Sequence, residues 1–275
     1  PGRWHQYGRY STALYQSLQA KYDIGIRNLG SVYLANTEDE AHLLEELKQQ
    51  FDAVDYPSAP LTQAQVLAKW PSVKPTYARS GLYFPQEVSS ESRKMIHALH
   101  RSLTETMAIE FHYLSAVHEI NDQGAKVKIK TSRGETFEAA TCIVCNGRGF
   151  KYLYPKLFEQ ANIEMVKLNM MVTKPLPEIS LPGNILTGLT IRRYESFKAL
   201  PSYSKLDPSP VNPLTVTHGI HVLFKQRIDG SIVIGDSHHY ADVAQSDRLG
   251  FDYDVEVGNI ILEEAQQILA LPSWD

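Results

Sequence analysis

The sequence predicts a mixed chain of the α/β (α+β) class in which two domains alternate. One is a mainly antiparallel sheet with helices, and the other is an incomplete domain that ends in a glycine loop. Three observations predict this arrangement. Strand-like segments lie on both sides of residues 126–149, amphipathic helix patterns separate them, and residues 126–149 themselves form a strand pattern that ends at Gly147 and Gly149.

Helices are predicted where apolar residues recur at every third or fourth position. Two of them begin at a capping box, in which a threonine is followed three residues later by a glutamate or glutamine: Thr37 with Glu40, and Thr62 with Gln65. The expected helices lie within residues 1–22, 38–51, 62–70, 90–107, 152–160 and 255–271.

The strands of the sheet are predicted from apolar and polar alternation and from turn residues. Asp229-Gly230 between two apolar segments is a strong hairpin signal. We expect one largely antiparallel sheet formed by residues 24–36, 165–174, 185–194, 220–224 and 231–235.

Residues 79–114 are predicted to form a strand, a helix and a second strand, at 79–84, 90–107 and 109–114. The helix has an apolar stripe that should face the interior. Its members are Ile96, Leu99, Leu103 and Met107.

The central stretch begins with alternating lysines and apolar residues at 126–130, turns at residues 132–134 and returns at 135–139. The apolar run Cys142–Cys145 is then typical of a strand covered on both faces. Glycines after such a strand let backbone approach a ligand, which favours a nucleotide-cofactor domain, although a tight turn is the simpler alternative. We therefore assign residues 1–22 and 81–150 to an incomplete cofactor-side domain, and residues 23–80 and 151–275 to a substrate domain.

Composition limits the class of partner. The 275-residue chain has a net charge of −4 and a pI of about 6.2, so no nucleic-acid partner is expected. No apolar run approaches the roughly 20 residues of a membrane span. Two cysteines favour a cytoplasmic setting. Cys142 and Cys145 are predicted to be buried structural residues rather than a redox or zinc pair. The oligomeric state is left open.

Three segments carry a resemblance to a known family. They are AVHEI at 116–120, TCIVCNGR at 141–148 and GIHVLFKQRIDGSIVIGD at 219–236. In these segments the chain resembles the flavoprotein family of D-amino acid oxidase, glycine oxidase and sarcosine oxidase. The resemblance implies an FAD-linked oxidoreductase fold with two domains and FAD as the cofactor.

A closer resemblance is to the members of that family associated with aminophosphonate breakdown. The segments that carry it are KLNMM at 167–171, LTGL at 186–189, RYESF at 193–197, HGIH at 218–221 and GDSHHY at 235–240. The resemblance implies oxidation of the C–N bond of a small amine substrate, by oxidative deamination of an aminophosphonate. The alternatives are a D-amino acid or N-methyl amino acid oxidase, and a cofactor-free binding or scaffold fragment.

Two family segments are not found in these 275 residues. One is the G-x-G-x-x-G turn that holds the pyrophosphate at a helix N-terminus, and the other is the closing segment. The chain therefore resembles an internal fragment of a family member. By itself it is expected to hold FAD poorly or not at all and to be inactive.

The resemblance also implies cofactor contacts. Val117 is carried over as an adenine contact through its backbone, with an ordinary core valine as the alternative. Asn146, Gly147 and Arg148 are carried over to the adenine–ribose end, although Asn146 and Arg148 replace small residues of the family.

An anionic substrate group needs cations or hydrogen-bond donors. We expect Arg193, Tyr194, His221 and His239 to bind the substrate, because they stand in the segments of closer resemblance. The alternative for each is an exposed residue at a strand end. No carboxylate or cysteine at matching spacing joins the histidines, so no metal site is predicted. No catalytic residue is identified.

Overall fold

The computed structural model describes residues 3–209 and 211–274. Its α-helices are α1 (Arg3–Tyr22), α2 (Glu38–Asp52), α3 (Gln63–Lys69), α4 (Ser92–Met107), α5 (Pro155–Glu159), α6 (Gly188–Arg193), α7 (Glu195–Lys198), α8 (Pro213–Thr217) and α9 (Val255–Ile268). Short 3-10 helices lie at Gly147–Tyr152, Tyr203–Lys205 and Val243–Leu249. None of the helices within these residues combines the length and the apolar content needed to cross a membrane.

The strands pair into four separate sheets within the described residues. They are β1 (Ile26–Arg27), β2 (Ser31–Ala35), β3 (Ala59–Thr62), β4 (Ser80–Phe84), β5 (Ser89–Ser90), β6 (Val117–Asp122), β7 (Val127–Thr131), β8 (Thr136–Ala139), β9 (Glu164–Lys167), β10 (Met170–Val172), β11 (Asn184–Leu186), β12 (Leu223–Gln226), β13 (Ile232–Gly235) and β14 (His239–Asp242).

Both predicted capping boxes form. The Thr37 hydroxyl accepts a hydrogen bond from the Glu40 backbone N–H at 3.2 Å, and the Glu40 carboxylate accepts from the Thr37 N–H at 3.3 Å. Thr62 and Gln65 make the same reciprocal pair at the start of α3. These bonds satisfy N–H groups that the first helical turn leaves without partners. The helices predicted at residues 38–51 and 62–70 are therefore confirmed.

The largest sheet has seven strands in the order β10-β13-β12-β11-β2-β4-β3. Every neighbouring pair is antiparallel except β11 with β2. The prediction of one largely antiparallel sheet is confirmed for β2, β10, β11, β12 and β13. The sheet also contains β4, which the sequence grouped with the cofactor-side segment.

Alternation along the strands divides the core between the two faces of this sheet. Val32 and Leu34 of β2 belong to a buried cluster that includes residues of α3 and α9. Ala35 belongs to a second cluster that includes Leu43 of α2 and Ile191 of α6. Helices therefore cover both faces, and α6 is held against the face on which α2 lies.

Two compact units make up the chain. The first contains residues 1–102, 168–238 and 252–275, and the second contains residues 103–167 and 239–251. The seven-stranded sheet lies wholly in the first unit. The functional division into a cofactor-side and a substrate domain is a different property from compactness, and it stays a prediction.

The second unit contains the predicted meander. Strands β6, β7 and β8 pair in sequence order, with antiparallel pairing throughout. The strand predicted at Cys142–Cys145 is wrong, because this segment pairs with no described strand and Ile143 is 82% exposed. Cys145 is exposed and Cys142 is half-buried, so the expected burial of the cysteines is also wrong. An apolar run becomes a central strand only when neighbouring strands pair with both of its edges.

Three other predicted strands change in the structure. Residues 24–36 divide into β1 and β2, and β1 pairs with β5 in a separate sheet. Residues 165–174 divide into β9, which pairs with β14, and β10 of the large sheet. Residues 185–194 form only a short strand, and α6 begins after Thr187, which caps it. The predicted strands are longer than the observed ones, because a bend in the chain or the start of a helix ends the hydrogen-bonded pairing of each strand.

Helix α4 forms as predicted, but its apolar stripe is not buried. Ile96 and Met107 are each 62% exposed, and the helix has no buried residue. The strand expected at residues 109–114 is absent from this described segment. Periodicity reports which face of a helix is apolar, whereas burial requires an element packed against that face.

Candidate functional site

The structure brings three of the four predicted substrate residues into the first unit. Arg193 is the last residue of α6, Tyr194 follows it, and His221 lies just before β12. Arg193 was expected at the end of a strand, and its place on a helix corrects that expectation. His239 begins β14 in the second unit.

His221 is enclosed between two aromatic side chains. Its ring centre lies 5.2 Å from that of Tyr194 in an edge-on arrangement, and 5.2 Å from that of His238 in a stacked one. Only 3% of the residue is exposed. His221 is therefore held in one orientation, far more tightly than a surface histidine.

Asp236 faces His221 through both backbone and side chain. Each residue donates its N–H to the carbonyl of the other, at 3.0 and 2.8 Å, and the carboxylate Oδ1 lies 2.9 Å from His221 Nε2. The other ring nitrogen, Nδ1, is 3.4 Å from the Thr190 hydroxyl. Although His221 Nε2 lies this close, Asp236 Oδ1 is buried and has no hydrogen-bond partner among the described residues, so the contact is a close approach rather than a formed hydrogen bond.

His238 lies near the same carboxylate oxygen as His221. Its Nδ1 donates to the Gly219 carbonyl at 3.1 Å and is 3.7 Å from Asp236 Oδ1. Burial lowers the pKa of His238, an effect that Asp236 opposes and Arg193 reinforces. His238 is therefore favoured in its neutral form.

Tyr194 completes the group, which we call the histidine–aspartate cluster: Tyr194, His221, Asp236 and His238. Burial raises the pKa of Tyr194, and the charge of Asp236 raises it further, while Arg193 acts in the opposite direction. Tyr194 thus remains a neutral hydroxyl at physiological pH. Arg193 and Asp236 both act on Tyr194 and on His238, with opposite effects on the pKa of each.

Close approach of the backbone at Gly219 links Arg193 to the cluster. Gly219 has a φ of +58°, and a Cβ atom there would lie 3.1 Å from Arg193 Nη1 and 3.1 Å from His238 Cβ. A glycine is required both by the backbone conformation and by the space that remains. Arg193 and His238 are therefore separated only by this backbone.

A small cavity of about 160 Å³ opens beside Arg193. Three cations and no carboxylate appear in its lining, which consists of Leu189, Arg192, Arg193, Lys198, Val211, Thr215, Val216, Gly219 and Ile220. Arg192 pairs with the buried Glu40 at 2.6 Å, and Lys198 pairs with the exposed Glu195 at 2.7 Å. The lining therefore favours an anionic occupant.

Sequence reasoning missed Asp236, although it stands between His221 and His238 in the chain. The available signal was the run Gly235-Asp236-Ser237-His238 at the end of a predicted hairpin strand. The sequence showed no carboxylate at a ligand spacing, whereas the fold places one ligand atom each of His221, Asp236 and His238 within 4.8 Å of one another. Antiparallel pairing, rather than spacing along the chain, creates this proximity.

The residues predicted to contact FAD lie in the second unit. Val117 begins β6 and is half-buried, and the β6–β7 register shifts between Val117 and Glu119. The Asn146 side chain donates to the Gly149 carbonyl at 2.9 Å. Arg148 lies over the ring of Phe251, 4.1 Å from its centre. These groups are positioned in the structure, and their role in cofactor binding stays a prediction.

Open backbone at Gly147 fits a nucleotide group. Gly147 has a φ of +53°, and no heavy atom lies within 4 Å of the position that its Cβ would occupy. A cofactor bound through backbone groups needs this kind of unobstructed approach. The open backbone at Gly147 is compatible with the predicted contact to the adenine–ribose end of FAD, and that contact stays a prediction.

Comparison with known proteins identifies the class. The match to the family model described as FAD dependent oxidoreductase covers residues 1–273, and the chain belongs to that family. The family and the fold class expected from the sequence are thereby confirmed. Comparison with curated proteins gives no match.

Solved structures with a similar fold include two glycine oxidases and an iminodiacetate oxidase. Glycine oxidase from Geobacillus kaustophilus has 17% identity and a TM-score of 0.67, with 96% of this chain and 61% of that chain covered. Glycine oxidase from Bacillus cereus ATCC 14579 has 17% identity and a TM-score of 0.71, and the match covers 96% of this chain and 63% of that chain. Iminodiacetate oxidase from Chelativorans sp. BNC1 has 15% identity and a TM-score of 0.63, and the match covers 96% of this chain and 62% of that chain. This chain spans less than two thirds of the length of each.

Proposed function

We propose that the protein containing this chain is an FAD-dependent oxidoreductase that oxidises the C–N bond of a small amine bearing an anionic group, specifically an aminophosphonate. The observation that carries the anionic group is the cavity beside Arg193, whose lining holds three cations and no carboxylate. The sequence segments 167–171, 186–189, 193–197, 218–221 and 235–240 support the phosphonate, because they resemble the family members associated with aminophosphonate breakdown.

Arg193 is the main contact for the anionic end in this proposal. A guanidinium offers a planar fork of donors, which matches two oxygens of a phosphonate or carboxylate. Tyr194 adds a neutral hydroxyl donor next to it, since its raised pKa keeps the proton in place. His239 is the proposed substrate contact of the second unit.

His221 has a different position from the one expected. The prediction of direct substrate contact remains, but its burial and its contacts with Asp236 and Thr190 favour an indirect role. In the proposal, His221 orders the backbone at Asp236 through the reciprocal hydrogen bonds of 3.0 and 2.8 Å. This assignment makes His221 a positioning residue.

FAD binding is proposed for Val117, Asn146, Gly147 and Arg148 in the second unit. When bound, FAD supplies a hydride acceptor for the carbon that bears the amine. The chain's own residues bind and orient the substrate, and such a reaction requires little acid–base machinery from the protein. Gly147 provides open backbone, and Asn146 and Arg148 provide polar side chains beside it.

Anaerobic bleaching of the flavin tests the proposal. The complete protein loaded with FAD is mixed with 2-aminoethylphosphonate, and with ethylamine as a matched amine that lacks the anion. We expect fast loss of flavin absorbance with the phosphonate and slow loss with ethylamine. Bleaching by glycine or sarcosine but not by 2-aminoethylphosphonate would instead favour an amino acid oxidase. No bleaching by any amine would contradict the proposal.

A further inference from the structure

We propose that the side chains of His221, Asp236 and His238 bind a divalent transition-metal ion, for which zinc is the probe. The inference is independent of the proposed function, because none of these three residues lines the cavity beside Arg193. It assigns to the histidine–aspartate cluster a ligand that the spacing of its members along the chain does not predict.

Asp236 Oδ1 is the atom that points to a cationic ligand. Asp236 is 8% exposed, and this oxygen is buried without a hydrogen-bond partner among the described residues. Burying a carboxylate oxygen is unfavourable unless a donor or a cation compensates its charge, and native folds rarely leave such an atom unpaired. A small cation beside Oδ1 therefore accounts for its burial.

Two imidazole nitrogens surround this oxygen. His221 Nε2 is 2.9 Å from Oδ1, and His238 Nδ1 is 3.7 Å from it. One ligand atom from each of the three residues lies within 4.8 Å of the other two. Ligand atoms of a tetrahedral zinc ion, with bonds of about 2.0–2.2 Å, are roughly 3.3–3.6 Å apart. The two nitrogen–oxygen separations bracket this value, so the three side chains can share one ion after a small adjustment.

The contact between His221 and Asp236 has the distance of a hydrogen bond but not its alignment. At 2.9 Å the two atoms are close enough, yet Oδ1 has no hydrogen-bond partner, so the direction of the ring N–H is unsuitable. A metal ion binds the lone pair of each ligand separately, and the nitrogen need not point at the oxygen. An ion that contacts both atoms therefore explains an approach that a proton does not.

Neighbouring polar groups suit the two imidazoles to an ion. The Thr190 hydroxyl lies 3.4 Å from His221 Nδ1, and when it accepts the Nδ1 proton it leaves Nε2 as a lone pair. The Gly219 carbonyl lies 3.1 Å from His238 Nδ1. Binding of an ion displaces the proton of that nitrogen, and the carbonyl oxygen then supplies a fourth oxygen or nitrogen ligand to the ion.

The backbone orders the three ligands before an ion binds. His221 and Asp236 exchange backbone hydrogen bonds of 3.0 and 2.8 Å, and the His238 N–H donates to the His218 carbonyl at 3.0 Å. Ligands that are already ordered lose little conformational freedom on binding, which increases affinity. The cluster is therefore pre-organised for an ion by the chain around it.

The ligand set selects the class of ion. Imidazole nitrogens suit zinc, iron, nickel and copper, whereas magnesium and calcium prefer sets made up of oxygen atoms. Two histidines with one aspartate therefore favour a transition-metal ion over magnesium. Zinc is the appropriate probe because it has no redox chemistry of its own and accepts nitrogen and oxygen ligands together.

Metal binding to the complete protein loaded with FAD tests the inference. The protein is freed of metal with a chelator, and zinc chloride or magnesium chloride is then added during calorimetry and thermal unfolding. We expect one equivalent of zinc per chain and a higher melting temperature with zinc, and neither effect with the same concentration of magnesium. X-ray absorption of the bound zinc should show nitrogen and oxygen ligands at about 2.0–2.1 Å and no sulfur.

Variants identify the ligands. Loss of a group that only orients a ligand weakens metal binding about 10- to 100-fold, so T190V should weaken zinc binding about 10-fold. D236N removes a direct ligand and should weaken it by more than about 100-fold. If circular dichroism shows that D236N does not fold, H238Q takes its place.

Two controls exclude zinc bound elsewhere. His42 is the matched histidine, because it is exposed and lies 3.5 Å from both Glu45 and Glu46. Cys142 and Cys145 are the free thiols of the chain, and Cys145 is exposed. H42Q and the double variant C142S/C145S should each keep one equivalent of zinc with unchanged affinity.

The outcomes distinguish this inference from the proposed function. Absence of zinc binding in the unmodified protein would overturn the inference, and so would equal zinc affinity in D236N and the unmodified protein. Loss of the bound zinc in H42Q or in C142S/C145S would assign the ion to another site and overturn it as well. Failure of every amine to bleach the flavin, together with zinc binding that D236N abolishes, would contradict the proposed function alone.

Discussion

His221 and Asp236 are paired twice, once through reciprocal backbone hydrogen bonds of 3.0 and 2.8 Å and once through side-chain atoms 2.9 Å apart. The backbone pair follows the β12–β13 ladder with a one-residue shift in register relative to the pairing of Leu223 with Gly235. As a result, the orientation of the side-chain pair is set by the central sheet. The cluster is therefore an extension of the rigid core rather than a loop feature.

Replacing His221 by leucine should destabilise the protein by about 3 kcal/mol, because a buried carboxylate loses its partner. The double variant H221L/D236L should recover part of this loss, since it removes both buried polar groups. Urea unfolding measures the free energies. H42L, which changes a histidine on α2 whose side chain is 57% exposed, should change the free energy of unfolding by less than about 0.5 kcal/mol. Equal effects of H221L and H42L would contradict the assignment.

Replacing Arg193 by alanine should reduce kcat/KM for a dianionic amine by about 10- to 150-fold, the loss of one charge-assisted pair. For a neutral amine the reduction should be only a few-fold. R79A, which removes a half-exposed arginine paired with Glu38, is the matched control and should leave both values unchanged. Equal losses for dianionic and neutral amines in R193A would show that Arg193 is structural.

Glu40 should be important for stability, because it pairs with Arg192 in addition to its part in the capping box of α2. It is 3% exposed, its Oε1 lies 2.6 Å from Arg192 Nε, and its Oε2 accepts from the Asn36 N–H at 2.8 Å. E40Q should destabilise the protein by about 3 kcal/mol, as expected when a buried pair loses one charge. E38Q affects a surface pair and should cost less than about 1 kcal/mol. Thermal and urea unfolding measure the stability of both variants, and an equal loss in E40Q and E38Q would contradict the prediction.

Acid should destabilise the protein partly through His238. Its pKa in the folded state is lowered by burial, so the unfolded chain binds a proton more readily. The contribution of His238 to stability is therefore complete above its pKa of about 6.5 in the unfolded chain, and it is lost as the pH falls through its pKa in the folded protein. H238N should show a smaller fall in melting temperature between pH 7.5 and pH 5.5 than the unmodified protein. A fall of the same size in both would exclude this role for His238, which faces Asp236, His221, Arg193 and the Gly219 carbonyl.

Gly219 should be intolerant of a side chain. Alanine there meets Arg193 Nη1 and His238 Cβ at 3.1 Å in addition to the cost of a positive φ. Gly124 has a φ of +83° with open space around it, so G124A isolates the backbone cost, about 1 kcal/mol. G219A should be less stable than G124A and should also raise KM for an anionic amine. Identical behaviour of the two variants would place Arg193 away from Gly219.

Local signals predicted many of the elements. The capping boxes of Thr37 and Thr62 and the Asp229-Gly230 turn depend on residues within a few positions of one another, and each is present. The meander β6–β7–β8 follows from alternation and a turn in the same way. Such features need no distant partner, which is why sequence alone was sufficient for them.

The candidate site was only partly predictable. Arg193 was expected at the end of a strand formed by residues 185–194. In the structure Thr187 caps α6, and Ile191 is buried in the cluster that includes Leu43 and Phe197. Packing of that helix, which the local pattern does not contain, decides where the Arg193 side chain lies.

The sequence by itself determined the family, the capped helices, the hairpin and the presence of histidines around it. Only the tertiary structure decided that Asp236 joins His221 and His238, that Arg193 reaches them across Gly219, and that Cys142–Cys145 remains without strand partners. The physical reason is that helix caps and turns are closed by neighbours along the chain. A charged cluster or a buried strand depends on partners brought together by sheet register and packing.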